Sequence, residues 1–269
     1  MKKITLLLIL SGMAFAAAGQ LTETRKVSGF TGISASGVFD ITVTKGAAES
    51  LAITADEDVM PYVRSEVSGG VLKLYIDRNV RRNVRNVKML KAAVTVKELD
   101  MARLSGACRL AGEEVFTPAK FSGDLSGASS LQLTVITGQL SLDVSGACKA
   151  TLHATVENTV VFDISGATKI QGNLTANKLT VDMSGASRLD LTGAADDASF
   201  DISGITSIHA KDFTLKNASV ESSGASSVDL HVTESLRVHL SGASVVRYKG
   251  NPSTFDVETS GAAGLKKIK

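Results

Sequence analysis

Acidic residues recur along the second half of the chain at intervals of 19 or 20 residues. They are Asp124, Asp143, Asp163, Asp182, Asp201 and Glu221. If the segments between them stack as equal coils, the carboxylates form one row with about 4.8 Å between neighbours. Like charges that lie this close repel one another, so something must compensate them. A row of cations such as calcium could do so, and so could hydrogen bonds from backbone N–H groups or pairing with basic residues.

The number of oxygen ligands that calcium needs argues against a row of cations beside these carboxylates. Oxygen-ligand calcium sites want six to eight oxygens and commonly a glycine-rich loop. A basic residue follows six positions after three of the carboxylates, at Lys149, Lys169 and Arg188, and Arg109 holds the same place in an earlier repeat. We therefore expect the row to pair with these cations, or with backbone N–H groups of a turn, rather than to bind metal.

A basic segment, from Arg78 to Lys91, contains no acidic residue. Its central arginines are Arg81, Arg82 and Arg85. Such a segment could contact anionic lipid or an acidic glycan, although the usual role of a charge run is a solvated loop. The acidic row and these three arginines are the candidate binding surface.

Serine and cysteine side chains show no sign of nucleophilic catalysis. No serine is singled out by a Gly-x-Ser-x-Gly elbow with base partners. Small polar residues instead hold one repeat position and predict hydrogen bonding along the stack: Cys108, Ser129, Cys148, Thr168, Ser187, Thr206, Ser226 and Ser244.

The two cysteines lie two coils apart, about 9.6 Å, beyond the roughly 7 Å limit for a disulfide. We expect two free, buried thiols.

The histidines do not suggest a metal centre. His209, His231 and His239 lie in neighbouring repeats but at unlike positions, and His153 lies apart from them. A zinc site needs ligands that converge in a tetrahedron. We expect no metal, no cofactor and no catalytic residue.

One tripeptide sets the spacing of all these residues. Ser-Gly-Ala begins at Ser105, Ser126, Ser145, Ser165, Ser184, Ser223, Ser241 and Ser260, and Ser203 begins a variant copy, Ser-Gly-Ile. A period of about 19 residues indicates one supersecondary unit stacked on itself. Glycine permits the positive φ of a sharp corner, and we expect the alanine to be small enough to turn inward.

Apolar residues alternate with polar ones on both sides of the tripeptide. In one repeat Leu131 and Leu133 precede Leu140, Leu142 and Val144. Alternation of this kind predicts strands with one buried face. The sequence therefore predicts an all-β protein, a parallel β-solenoid of about nine coils. A β-sandwich would want two-residue hairpin turns between strands, and a propeller would need two repeats per blade.

The chain before the repeats divides into two parts. Residues 1–19 carry Lys2 and Lys3, an apolar run and small residues, the pattern of a signal peptide. Residues 20–100 predict an atypical head that covers the open first coil, with strands and one short helix from Asp56 to Val67 that Gly69 and Gly70 end. Residues 101–269 form the repeat region, continuous with the head.

The charge of the last coil and of the whole chain limits which partners we expect the protein to bind. Lys266, Lys267 and Lys269 place positive charge on the terminal edge, which discourages end-to-end pairing. Without the two leader lysines, 27 basic residues balance 27 acidic ones, so nothing attracts nucleic acid. No apolar stretch is long enough for a membrane helix. We expect an exported protein that is periplasmic, surface-bound or extracellular, and a homo-oligomer is possible.

Two stretches resemble a known family. The opening from Val27 to Val38, Val-Ser-Gly-Phe-Thr-Gly-Ile-Ser-Ala-Ser-Gly-Val, is similar to the start of the putative auto-transporter adhesin, head GIN-domain family. So is the stretch from Val94 to Leu99 that leads into Leu104 and Ser105. The resemblance implies an exported protein of Bacteroidetes-type bacteria with a right-handed parallel β-helix. It brings no catalytic residues.

Together these observations favour a non-catalytic envelope or surface protein. The expected activity is adhesin-like binding to a glycan, a cell-wall component or a protein. Two alternatives remain: a polysaccharide-acting β-helix enzyme, and a purely structural envelope rod whose copies pack side by side.

Overall fold

The computed structural model describes residues 19–77, 87 and 89–269. The described residues form nineteen strands and one short 3-10 turn. The strands are β1 (Gln20–Arg25), β2 (Gly32–Gly37), β3 (Asp40–Lys45), β4 (Ser50–Asp56), β5 (Val63–Ser68), β6 (Val71–Ile76), β7 (Leu90–Val96), β8 (Met101–Gly106), β9 (Arg109–Phe116), β10 (Lys120–Leu125), β11 (Ser130–Val144), β12 (Lys149–Ile164), β13 (Lys169–Met183), β14 (Arg188–Ile202), β15 (Ser207–Ser222), β16 (Ser227–Leu240), β17 (Val245–Lys249), β18 (Thr254–Thr259) and β19 (Gly264–Lys267).

The repeat region is a parallel β-solenoid of about nine turns, which confirms the predicted fold class. Each long strand from β11 to β16 pairs in parallel with the next one along the chain. The first part of such a strand follows one Ser-Gly-Ala corner, and its last part leads into the next corner. We call the strand segments that lead into the corners the leading wall, and those that follow them the trailing wall.

The corner glycines are required by both conformation and packing. Gly146 has φ of 88°, which residues with a Cβ atom rarely adopt. A Cβ atom there would lie 2.5 Å from the carbonyl oxygen of Gly127 in the preceding coil. The coils approach this closely because the Ala147 N–H donates to that same oxygen at 2.7 Å. Each corner is therefore stacked through backbone hydrogen bonds.

The corner alanines point outward, and the expectation that they turn inward is wrong. Ala147 is exposed, and Ile205, which replaces the alanine in one coil, is 72% exposed. The residue after the alanine turns inward instead. At that position Ser129 and Thr168 are buried, and their hydroxyls donate to the carbonyls of Ser126 and Ser165, at 2.8 and 3.0 Å. This hydrogen bond fixes the corner from inside.

The core is a column of aliphatic side chains inside the coils. Leu131, Leu140, Leu142 and Val144 in one coil are all buried. Alternate residues of β11 face in and out, as its burial pattern shows. Each coil buries its apolar face on its neighbours, so the outward side chains form columns along the molecule.

The N-terminal head closes the first coil on both walls. β2 pairs with β8 so that Ser36 lies beside Ser105, which makes β2 and β3 a preceding coil. On the leading wall, β6 covers β2, and β5 closes the edge as an antiparallel strand. On the trailing wall, β3 pairs with β7, β7 pairs with β4, and β4 pairs with β1, which forms the edge.

The predicted helix from Asp56 to Val67 is reduced to a 3-10 turn at Met60–Tyr62. The residues after it form β5, which pairs with β6. Gly69 and Gly70 both have positive φ, 61° and 76°, and form the two-residue connection between antiparallel strands. The glycine pair interpreted as a helix stop is therefore a hairpin turn.

Candidate functional site

The leading wall brings the predicted acidic residues into one column. Asp124 pairs in register with Asp143. The column continues through the other predicted residues and then through His239 and Glu258 to the end of the solenoid: Asp163, Asp182, Asp201, Glu221, His239 and Glu258. The spacing in the sequence thus gives a row of carboxylates on successive coils.

The charge compensation predicted for this column is not present. Arg188 pairs with Asp190 of its own strand at 2.8 Å, and the corner N–H groups donate to carbonyls of the preceding coil. In the described part of the chain, only Asp124 of the predicted acidic row forms an ion pair, with Arg103 at 3.7 Å. Lys149 and its equivalents lie on the trailing wall, beyond the corner, where the carboxylates do not reach them.

Neighbouring carboxylates perturb one another along the column. Partial burial, together with the charges of Asp163 and Asp124, raises the pKa of Asp143 above its usual value. The pKa of Asp182 is raised in the same way, by burial and then by Asp201 and Asp163. The acidic side chains of the column are exposed to water, and water weakens the repulsion between them. The column is therefore a solvated anionic row.

An open groove of about 600 Å³ lies beside this row on the first coils. Its lining combines hydroxyl, amide and charged side chains with four apolar ones. The residues that line it are Asp100, Met101, Arg103, Lys120, Phe121, Ser122, Gln139, Leu140, Ser141, Thr159 and Val161. Sequence analysis missed this groove. The available signal was the pair Met101 and Val161, which place apolar side chains at a position where most coils carry Ser or Thr.

The trailing wall carries a second polar column that sequence analysis also missed. Asp190, His209, Asp229 and Arg247 lie in register on four successive coils. Asp229 is largely buried and accepts a hydrogen bond from Arg247 at 2.5 Å, and His209 Nδ1 lies 3.3 Å from Asp190. Asp229 and Arg247 carry opposite charges on neighbouring coils, so this pair stabilises the stack.

The described residues include no group of three or more His, Cys, Asp or Glu side chains placed to hold a metal ion. His231 Nδ1 lies 3.2 Å from the Thr214 hydroxyl. Its pKa is lowered by burial and by the nearby charge of Lys249. This histidine therefore belongs to a local polar cluster and lies at a different strand position from His239.

Both cysteines are free and buried, as predicted. Cys108 and Cys148 lie on either side of Ser129 in the inward column. Burial raises the pKa of both thiols. The Cys148 thiol donates to the Ser145 carbonyl at 3.2 Å, in the same way as the hydroxyls of the other coils. The cysteines are structural substitutes for serine.

Two other sets of predicted residues lie outside the described part of the chain. Arg81, Arg82 and Arg85 are among them, and so is nearly all of the predicted signal peptide, residues 1–18. Among the residues described, no helix is both long and apolar enough to cross a bilayer.

Several solved structures share this fold. A putative adhesin from Parabacteroides distasonis has a TM-score of 0.71 at 20% identity, over 93% of this chain and 97% of that one. A putative adhesin from Parabacteroides merdae has a TM-score of 0.67 at 20% identity, over 93% and 96%. A putative lipid binding protein from P. distasonis has a TM-score of 0.62 at 20% identity, over 93% and 97%. At this identity the likeness shows the fold alone.

Sequence comparison gives the family. No curated protein matches the chain. One family model matches residues 29–173 and 158–252, which together cover well over half of the 269 residues. The head strands from β2 to β7 and the coils with the groove lie inside these matches. The protein therefore belongs to the family described as "Putative auto-transporter adhesin, head GIN domain".

Proposed function

We propose that this protein is a non-catalytic, exported binding protein that holds a glycan of the cell envelope or the extracellular space against its leading wall. The observation that carries this proposal is the open groove of about 600 Å³ on the first coils. Gln139, Ser122 and Ser141 supply hydrogen-bonding groups, and Met101 and Val161 supply apolar contacts. Polyhydroxylated ligands need both kinds of contact.

The repeated coils suit a polymer in particular. Hydroxyl residues continue beyond the groove in the same column, at Thr180, Ser199 and Ser219. A second, smaller depression contains Lys178, Ser199 and Asn217. A chain-like ligand that lies along the solenoid axis would meet similar polar groups at every coil. Weak contacts repeated along one ligand add up through effective concentration.

The arrangement of the carboxylates favours binding without catalysis. Glycosidases need two carboxyl groups whose environments push their pKa values apart. Asp143 and Asp182 instead occupy equivalent places in the column, and the same causes raise the pKa of both. The family and two of the structural neighbours carry the name adhesin, which supports a binding role.

Export and surface location form part of the proposal. The pattern of residues 1–19 predicts a signal peptide, and the adhesin family suggests a surface or exported protein. We propose that the acidic row on the leading wall contributes to binding, and that Arg81, Arg82 and Arg85 contribute as well. The acidic row would favour ligands that carry positive or neutral groups.

A glycan array combined with a reducing-sugar assay on the same purified protein tests this function. We expect binding to one class of polysaccharide and no release of reducing sugar from any polymer. Release of sugar would instead support the polysaccharide-acting enzyme. Lipid vesicles serve as the comparison ligand, because one structural neighbour is named a putative lipid binding protein. Binding to vesicles and to no glycan would contradict the proposal.

A further inference from the structure

The last coil exposes residues that every earlier coil buries. Phe255 and Val257 are 47% and 42% exposed, whereas Leu236 and Val238, which hold the same positions one coil earlier, are fully buried. In the described part of the chain, β18 pairs only with β16, and β19 pairs only with β17. The C-terminal end of the solenoid is therefore a cross-section of the core with an unpaired strand edge on each wall.

An end of this kind favours association. Unpaired strand edges offer backbone N–H and C=O groups to another chain, and exposed apolar patches mark interaction sites. The other end of the solenoid differs. There the head covers the core: Leu51 and Leu72, which lie next to the edge strands β1 and β5, are fully buried. Within the described residues, only the C-terminal end therefore exposes the apolar core.

We propose that the C-terminal coil docks on the same coil of a second copy, with the two N-terminal heads pointing away from each other. The two-fold axis passes beside Gly261 at the corner, perpendicular to the solenoid axis, so that β18 runs antiparallel to β19 of the partner subunit. Val257 and Leu265 lie four residues before and after Gly261, and both face the core side. In this arrangement Val257 packs against the partner's Leu265, and the exposed cores cover each other.

Charge complementarity selects this arrangement over other pairings. Asp256 and Lys266 lie five residues before and after Gly261 and both face outward. Asp256 accepts a hydrogen bond from Arg237 of the preceding coil at 3.0 Å, and on its open side it meets the partner's Lys266. Pairing β18 with its own copy would instead place Asp256 beside acidic residues, since β18 carries Asp256 and Glu258 and no basic residue. The terminal lysines discourage contact with a like-charged edge, but here Lys266 faces an acidic residue, Asp256.

The symmetry of the contact also limits the number of copies in the assembly. An interface that uses the same patch on both copies closes on itself as a dimer. Because the other end of each solenoid is covered by its head, a second dimer cannot add to the first. The assembly is a rod of two copies with a head at each end, and both leading walls remain open.

Charge exchange at one pair of residues tests the arrangement. The mass of the purified protein is measured by light scattering after size-exclusion chromatography across a range of protein concentrations. We expect the wild type to have twice the mass of one chain. Asp256→Lys alone and Lys266→Asp alone each place like charges opposite each other, which weakens association at least about tenfold. Both variants should then elute as single chains.

Mixing the two variants gives the decisive result. Each copy of Asp256→Lys then faces a complementary copy of Lys266→Asp, so an equimolar mixture should regain the doubled mass, and so should the double variant. Glu157→Lys, an exposed acid-to-base change in the middle of the solenoid, should keep the wild-type mass. Far-UV circular dichroism identifies any variant that fails to fold. A single-chain mass for the wild type at every concentration, or two single variants that remain doubled, would overturn the proposal.

Discussion

Replacing one corner glycine should reveal how much stability depends on the stacked corners. In Gly146→Ala, the new Cβ atom lies 2.5 Å from the Gly127 carbonyl oxygen, whereas ordinary contacts begin near 3.4 Å. The neighbour is backbone and cannot rotate away, so the coils must separate. The positive φ costs about 1–2 kcal/mol for a residue with a Cβ atom. Separating the coils also weakens the 2.7 Å hydrogen bond from Ala147 to Gly127 and the bonds that Ser145 and Lys149 donate on either side of it, and loss of two such bonds costs about 2 kcal/mol.

Gly69→Ala is the matched control for this substitution. Gly69 also has a positive φ of 61°, but no atom lies within 4 Å of its added Cβ. We expect the free energy of unfolding of the control to fall only by the cost of the positive φ, about 1–2 kcal/mol. That of Gly146→Ala should fall by about 2 kcal/mol more than that of the control. Urea unfolding monitored by far-UV circular dichroism measures both free energies of unfolding. Equal losses in the two variants would refute the reasoning that the corners are held by close backbone stacking.

Further predictions concern the inward column and the acidic row. Thr206→Val should raise the free energy of unfolding by about 1 kcal/mol, because the buried Thr206 hydroxyl has no partner among the described residues. Thr168→Val should lower it by about 1 kcal/mol, since it removes a 3.0 Å hydrogen bond. Asp143→Asn should stabilise the protein at pH 7 but not below pH 3.8, the ordinary carboxyl pKa. A folded-state pKa that is raised makes the carboxyl group stabilising at low pH, and this stability is lost as pH rises through the raised value. Cys108 and Cys148 should react with a thiol reagent only after denaturant is added, because both are buried and burial raises the pKa of each thiol.

Most of the fold follows from the spacing of the repeat. A period of 19 or 20 residues with apolar alternation leaves few ways to bury each strand except on its neighbour. The columns that run through Asp143 and Cys148 follow from that register alone. The same argument predicts that the two thiols lie too far apart to bond, and they are free.

Local interpretations failed where tertiary contacts decide the outcome. The corner alanine is small, and its size suggested an inward side chain. Its direction is set by the glycine before it, which reverses the chain so that the following residue faces inward, as at Thr168. Likewise Gly69 and Gly70 suit both a helix end and a hairpin turn. Pairing of β5 with β6 selects the hairpin, and that contact is not visible in the local sequence.

The candidate site was only partly predictable. Register fixes which residues share a column, but it does not show on which side of a corner their charges lie. Asp143 and Lys149 are six residues apart and share a coil, yet they face outward on different walls, so the predicted pairing was wrong. The groove arises from the shapes of Met101, Ser141 and Val161 on three coils, and no single repeat contains that information.

The binding role of the leading wall can be tested with two substitutions in one strand. Ser141 lines the groove, whereas Gln132 lies on the trailing wall of the same strand, β11. Each is changed to arginine, and the affinity for the polysaccharide that binds most strongly on the array is measured by isothermal titration calorimetry. We expect Ser141→Arg to bind at least about tenfold more weakly, because a long charged side chain fills the groove, and Gln132→Arg to bind like the wild type. Equal affinity of the two variants, or loss of binding in Gln132→Arg alone, would contradict a ligand held against the leading wall.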